Sequence, residues 1–504
     1  MLIKIEKEDF MRWDFSEISK FFLNEDKGKL LVEGNFGLEK EGQRVLSTGD
    51  LALTPHPIVF GDKIKNPHIT TDFSESQIEM ITKPFNSVEK VYEALNTINL
   101  NIEKGLDDEL LWPLSMPPKL PVEETIPIAS FPGSKNGKNM EIYRKGLALR
   151  YGKKMQMISG IHYNFSFGEE MINYLYKKFG NKNDKRLFID EIHFGLARNF
   201  LRYSWILIYL FGASPFCHPS YYPVIKKELM IIQKCCPNYV DIIENYIQCA
   251  ISLRVSRFGY SNRLQNADIY FNSLEEYSTK LHRMLSTRDE KFSSLGIYRN
   301  GSQIQLNGNV LQKESEFYSL IRLKQPPIKG ETSLDALENR GVKYVEVRIL
   351  DLNPFEKLGL SIEEMRFLHV FMIFCLFEQS PPITNDEYSI INLNQNLVSL
   401  IGRKKGLRLK KYDGGEISLK SWGEEIFERL RTIADLMYID TEDNKYHECV
   451  EKEYRKLFDI SLLPSEKINI EMGEYNESFL EFGKRWANNN SLKNNIFIDH
   501  LVNN

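Results

Sequence analysis

Only six cysteines occur among 504 residues and none forms a C-x-x-C pair, which argues against a disulfide scaffold and against a thiolate zinc site. Cys235 and Cys236 are adjacent, and neighbouring cysteines seldom bridge each other. No charge of one sign dominates. The 65 basic and 69 acidic residues are interspersed and leave a formal net charge of −4, so bulk charge favours neither nucleic acid nor an anionic membrane. Long apolar runs are missing as well. The most apolar, WILIYLFGASPF (205–216), falls short of the roughly 20 residues that span a bilayer and reads as a buried helix. MLIKIEKEDF at the N-terminus is charged from its fourth residue and lacks the apolar core of a secretory signal. Also absent are a Gly-x-x-x-x-Gly-Lys-Ser/Thr loop, a Gly-x-Gly-x-x-Gly after a strand and a Gly-x-Ser-x-Gly elbow. The common kinase folds, dehydrogenases and serine hydrolases are thereby disfavoured. The expectation is a cytoplasmic protein with reduced thiols that binds neither nucleic acid nor membrane.

What is present is ample apolar material: 42% hydrophobic and 12% aromatic residues can build a large core. Helical spacing predicts buried stripes at Val91, Leu95, Ile98 and Ile102, and again at Trp422, Ile426, Leu430, Ile433 and Met437. SIEEMRFLHVFMIFCLFEQ (361–379) opens with a serine cap and an acidic first turn, then turns apolar nearly all round, which predicts a buried helix. Residues 117–139 carry five prolines and two glycines before the helical MEIYRKGLALRYG, and read as an irregular border of an active site. No linker stands out before about residue 410. The expected organisation is a catalytic domain over 1–410 with a mainly helical segment, 411–504, packed on it.

Strict alternation marks four separated segments as strands. In LLVEGNFGLEKEG, Leu30, Val32, Phe36 and Leu38 oppose Glu33, Asn35, Glu39 and Glu41. In SQIEMIT, Ile78 and Met80 oppose Gln77 and Glu79; in SGIHYNFSF, Ile161, Tyr163, Phe165 and Phe167 oppose His162, Asn164 and Ser166. In KYVEVRIL, Val345, Val347 and Ile349 oppose Tyr344, Glu346 and Arg348. Any one of these could be a half-buried strand with its polar face in water. As a set they lack the Lys/Thr/Ser mixture of a solvated face and carry carboxylates, an imidazole and a guanidinium instead. Glu39 and Glu41 share a face, where they repel each other unless a positive charge lies between them. Adding Asp72 from HITTDFSESQIE gives an oxygen-rich set with one imidazole and no thiolate. Such a set suits Mg²⁺, with Mn²⁺ as a substitute, in more than one position, and Mg²⁺ that keeps open coordination positions suits ATP. Arg348, two residues beyond Glu346 on the same face, could reach a transferring phosphoryl group.

At these residues the chain resembles the bacterial glutamate–cysteine ligases of the enterobacterial type. The resemblance runs from FGLEKEGQRV through LTPHPIVFG, LWPLSMPP, YRKGLALRYG, MQMISGIHYNFSF, YLFGASP and SLRVSRFGYSN to YVEVRILDLNPF, with further likeness to about residue 410. It implies an α+β fold like that of glutamine synthetase, a curved antiparallel sheet forming a funnel with helices outside. It also implies ATP-dependent joining of the γ-carboxylate of L-glutamate to L-cysteine through a γ-glutamyl phosphate, the first step of glutathione biosynthesis. The matched positions imply two or three Mg²⁺ ions held by Glu39, Glu41, Asp72, Glu79, His162 and Glu346, with Arg348 and Arg144 at the phosphoryl group. Arg254, Gln156 and Ile158 are implied at glutamate, and Phe73, Tyr143, Leu147, Tyr260 and Tyr318 at the cysteine side chain. Feedback by glutathione is a further expectation. With no room for a second, ATP-grasp domain, the product is expected to be γ-glutamylcysteine. Alternatives are a related γ-glutamyl ligase with a different amine acceptor, or a homologue that binds metal or nucleotide without chemistry.

Overall fold

Alternation in the sequence becomes one antiparallel sheet in the computed structural model, which describes residues 13–180, 184–235, 237–260, 269–441 and 443–491. The expectation for MLIKIEKEDF lies outside these residues, as do the side chains of Cys235 and Cys236. The strands are β1 (Gly34–Val45), β2 (Ile69–Thr71), β3 (Gln77–Ile81), β4 (Leu110–Leu111), β5 (Ile161–Phe167), β6 (Ile321–Lys324) and β7 (Tyr344–Leu350). Their spatial order is β2-β3-β1-β5-β7-β6, with β4 pairing the far end of β1, and every pairing is antiparallel. The four strands predicted from alternation are thus neighbours at the centre of the sheet. One boundary differs. Leu30 and Val32 lie in a short helix, Gly28–Val32, so the strand starts at Gly34 and only Phe36 and Leu38 continue its apolar face.

That apolar face, with Phe36, Leu38, Ile78, Met80, Tyr163, Phe165, Val345 and Val347 buried, forms the core with the helices. Helix α1 (Val88–Gly105) is capped by Ser87 and buries the predicted stripe of Val91, Leu95, Ile98 and Ile102. Of the run at 205–216, residues 205–211 are the buried end of α2 (Lys185–Phe211), and the chain leaves the helix at Gly212. Helix α3 (Ile362–Phe377) opens on the predicted serine cap, which the structure shows as a reciprocal capping box between Ser361 and Glu364, and is buried almost all round. Among the described residues no helix is long and apolar enough to cross a membrane.

The proline-rich segment is shorter than the sequence suggests, because Ser134 caps a helix that already starts at Lys135 and runs to Tyr151. Its irregular part lies along the turn after β2. Ser74 donates to the Pro127 carbonyl at 2.6 Å, Ala129 N–H donates to the Phe73 carbonyl at 3.0 Å, and Ser130 N–H donates to Glu75 at 2.6 Å.

Beyond residue 410 the helices dock on the same core. Helix α4 (Leu419–Thr441) buries its predicted stripe, with Trp422 5.0 Å from Trp205 and Phe427 5.8 Å from Phe367 between ring centres. Lys456 donates to the Leu210 carbonyl at 3.0 Å. In α5 (Phe479–Asn489), Gly483 lies so close to Trp112 that a Cβ there would overlap the indole ring. Gly483→Ala is therefore expected to cost about 1–3 kcal/mol. Urea unfolding would show this as a lower midpoint at unchanged slope.

Candidate active site

The polar face of the sheet lines a cavity of about 370 Å³. Register explains how distant segments meet there: Glu39 is paired with His162, Glu41 lies directly opposite Glu79, and Glu346 is flanked by Asn164 and Arg322 on its two neighbouring strands. The β5–β7 ladder shifts register between Ile161 and Tyr163, at His162. Such irregularities re-aim side chains and are common beside active sites. Asp72 joins the group from the turn just after β2.

All six predicted carboxylate and imidazole ligands line this cavity. Glu39 accepts from Asn164 Nδ2 at 3.0 Å and sits 3.0 Å from His162 Nδ1, and Glu41 accepts the Gly160 N–H at 2.9 Å. Ligand atoms of Glu39, His162 and Glu346 all lie within 4.8 Å of one another, close enough to share one ion. Electrostatics separates two halves. Burial and the neighbouring Asp72 push the Glu41 carboxyl up to about 8; burial with Asp72, Glu39 and Glu41 pushes Glu79 well up. Burial pushes Glu346 up too, but Arg348 and Lys324 outweigh it and hold this carboxyl well below the usual range. Burial and Arg348 lower the His162 pKa, which favours the neutral imidazole that coordinates metal. Like charges placed opposite each other are destabilising without a counter-charge. The donor set and the Glu41–Glu79 pairing therefore fit divalent, oxygen-preferring cations.

Three arginines frame the cluster, Arg254 buried and Arg348 and Arg144 half-buried. Arg254 donates from Nη2 to the Arg348 carbonyl at 2.9 Å, and its Nη1 lies 3.7 Å from Asp351. Asp351 is itself held by Ala213 N–H and Ser214 Oγ at 2.8 and 2.7 Å. Arg254 Nε and Nη1 have no hydrogen-bond partner although they are buried, and the side chain lines the cavity. Buried guanidinium donors without acceptors are costly, and a bidentate carboxylate satisfies them. The arginine packs against Gly160, where any Cβ would overlap the guanidinium. Arg348 pairs with Glu346 and has an unpartnered Nε. Arg144 is gripped by the carbonyls of Asp72 and Thr71, with its guanidinium 4.6 Å from the Phe131 ring centre.

Tyr143, Leu147, Gln156, Tyr260 and Tyr318 also line the cavity. Tyr260 and Tyr318 stack at 5.4 Å, and the Tyr260 hydroxyl donates to the carbonyls of Gln156 and Ile158 at 3.3 Å each. Phe73 and Ile158 are buried beside the cavity rather than in its lining. Ile158 touches the site through its carbonyl, which also accepts from Gln77 at 3.1 Å. Sequence reasoning missed Arg322 and Lys324, which line the cavity from β6. Their signal is the same alternation: in IRLK, Ile321 and Leu323 are buried while the two basic residues face the site. It also missed Glu316, in the lining, which forms a fully buried pair with Arg150 at 2.9 Å and accepts from Tyr151 at 2.9 Å.

The glutamate–cysteine ligase family model matches residues 20–398. This chain belongs to the glutamate–cysteine ligase family. A relative named glutamate–cysteine ligase in Clostridium acetobutylicum is 58% identical over 95% of this chain and 100% of its own length. One of the same name in Pseudomonas putida is 40% identical over 90% of this chain and 85% of its own. Among solved structures, a Francisella tularensis glutamate–cysteine ligase in complex with AMP superposes with a TM-score of 0.81 at 33% identity, covering 92% of this chain and 89% of that one. A bifunctional glutathione synthetase from Pasteurella multocida gives 0.73 at 28% identity, covering 94% of this chain and 54% of that one. The matched residues thus cover the whole sheet and the three framing arginines.

Proposed function

We propose that this protein joins the γ-carboxylate of L-glutamate to the amine of L-cysteine using ATP, giving γ-glutamylcysteine, ADP and phosphate. One observation carries the reading: in a single cavity, a buried guanidinium with two unpartnered donors, Arg254, shares the space with a carboxylate–imidazole cluster and a second arginine, Arg348. The first suits the α-carboxylate of an amino acid and the second suits a metal-bound triphosphate. Glu39, Glu41, Asp72, Glu79, His162 and Glu346 would hold Mg²⁺, or Mn²⁺ in its place, as two or three ions. When bound, the ions neutralise phosphate charge and polarise the transferring phosphoryl group.

The chain's own residues do the rest. With the α-carboxylate on Arg254, a γ-carboxylate oxygen attacks the terminal phosphorus and the bond to ADP breaks. Arg348 and Arg144 stabilise the charge on the transferring group. The cysteine amine then attacks the acyl carbon of the γ-glutamyl phosphate, phosphate leaves, and the nitrogen loses a proton. Tyr143, Leu147, Tyr260 and Tyr318 suit the thiol, since sulfur–aromatic contacts are favourable. Phe73, buried next to Asp72 in the chain, is assigned to the same pocket. Glutathione carries the same γ-glutamyl group and is expected to compete with glutamate at Arg254. We place the reaction in the cytosol, where ATP is supplied and thiols stay reduced, with residues 411–504 as a helical support of the catalytic body.

Coupled ADP release with glutamate and a panel of amines tests the acceptor. Turnover with cysteine is expected to exceed that with alanine or ethylamine. Turnover with other amines but not cysteine would assign a different γ-glutamyl ligase. A second expectation concerns pH. Burial and Asp72 leave the Glu41 carboxyl protonated up to about 8, and burial with Asp72, Glu39 and Glu41 raises Glu79 as well. An ion must displace those protons, so for each proton displaced the apparent Mg²⁺ affinity strengthens about tenfold for every unit that pH rises toward that range. Calorimetry in buffers of differing ionisation enthalpy should show proton release, and affinity unchanged between pH 6.5 and 8.5 would contradict the assignment.

A further inference from the structure

Glu346 has two cationic partners on its two oxygens. Arg348 pairs with Oε1, and Lys324 Nζ stands 2.6 Å from Oε2. The Glu346 side chain is 2% exposed and shares a ligand cluster with Glu39 and His162, whereas the Lys324 side chain is 32% exposed, on the edge strand β6. The other basic residue of this strand is differently employed: Arg322 donates to the carbonyls of Ser315 and Phe317 at 2.8 and 2.6 Å, fixing the loop that carries Tyr318. Lys324 is thus the more exposed of the two cations on Glu346, on a flexible stem that can swing within the cavity it lines.

We propose that Lys324 is a resident counter-cation for Glu346, occupying a carboxylate oxygen that a divalent ion needs and leaving it for the phosphates of the nucleotide when the ion binds. The inference rests on the metal-and-ATP reading above. A buried carboxylate oxygen with no cation beside it is costly, so the ammonium compensates Oε2 and holds it in place before the ion arrives, while Arg348 stays on Oε1. Ion binding must displace that ammonium, which weakens ion affinity in the nucleotide-free protein. A displaced ammonium beside a triphosphate gains a new charge-assisted partner, so the exchange couples ion entry to nucleotide binding. Lys324 is in this account a positioning residue for Glu346 and a specificity element for the metal–nucleotide pair.

The two consequences have opposite signs, which distinguishes them from structural damage. Mn²⁺ binding to the nucleotide-free full chain would be followed by electron paramagnetic resonance, and KM for ATP by coupled ADP release. Lys324→Met is expected to bind Mn²⁺ about tenfold more tightly, the effect of removing one charge-assisted competitor, while its KM for ATP rises by about the same factor. Lys324→Arg keeps the charge and is expected to bind Mn²⁺ within about twofold of the parent. Mn²⁺ affinity unchanged or weakened in Lys324→Met, or equally strengthened in Lys324→Arg, would overturn the proposal. The underlying reading fails separately: in that case the parent protein binds no Mn²⁺, or Glu39→Gln leaves its Mn²⁺ affinity unaltered.

Discussion

Glutamine in place of Glu39 is expected to lower kcat by about 10²–10³-fold, the range found when one preorganised charge-stabilising group is removed from an active site. The side chain keeps its shape and can still accept from Asn164, which donates to it at 3.0 Å, but it no longer offers an anion to the cluster with His162 and Glu346. Burial and Glu346 oppose the ionised Glu39, but the His162 hydrogen bond, helped by Lys324, outweighs them and holds this carboxyl below its ordinary range, so the charge is favoured even before a cation binds. The variant should therefore unfold in EDTA at the same temperature as the parent or slightly lower, while still folding, so that lost turnover is not lost structure. Activity at saturating ATP and Mg²⁺, alongside thermal unfolding in EDTA, checks both halves. Near-normal turnover would remove Glu39 from the ligand set.

The second large effect belongs to Arg254. Truncation to alanine removes the unpartnered Nε and Nη1 donors and leaves Asp351 without its nearest guanidinium. Losing one partner of a buried charge pair costs about 2–5 kcal/mol, so KM for glutamate should rise by about 10²–10³-fold with KM for ATP changed far less. Arg254→Lys should recover only part, because an ammonium cannot present two parallel N–H groups to a carboxylate. Initial-rate kinetics with each substrate varied in turn measures the split. Equal increases in both KM values would point to a collapsed cavity instead of a lost carboxylate clamp. The close packing of Gly160 on the guanidinium makes Gly160→Ala an independent probe of the same clamp, with the same direction of effect.

These expectations draw on what the sequence shows and on what only the fold adds. Alternation located β1, β3, β5 and β7 and placed Glu39, Glu41, Glu79, His162 and Glu346 on polar faces, because period-2 patterning is imposed directly by the pleat. It overran the start of β1 because Leu30 and Val32 bury apolar surface equally well in a single helical turn. Which strands are neighbours was not readable. The Glu41–Glu79 opposition is a matter of register between segments nearly forty residues apart, and it appears only once the sheet is assembled. Arg322 and Lys324 escaped because a strand of four residues, IRLK, offers too short an alternation to stand out from an ordinary surface. Arg150 and Glu316 were hidden for a different reason. A fully buried ion pair between a helix and a distant loop leaves no periodic trace in either segment. Phe73 and Ile158 show the limit of residue-level resemblance, since their positions border the cavity while the backbone and neighbouring side chains make its wall.

The central claim is that this cavity activates a carboxylate by phosphorylating it. Glutamate labelled with ¹⁸O in its γ-carboxylate, turned over with ATP and cysteine, tests that claim through the phosphate produced. Passage through a γ-glutamyl phosphate requires one labelled oxygen to leave with phosphorus in each turnover, so mass spectrometry should find phosphate carrying a single ¹⁸O in proportion to the γ-glutamylcysteine formed. Unlabelled phosphate accompanying labelled product would contradict the account.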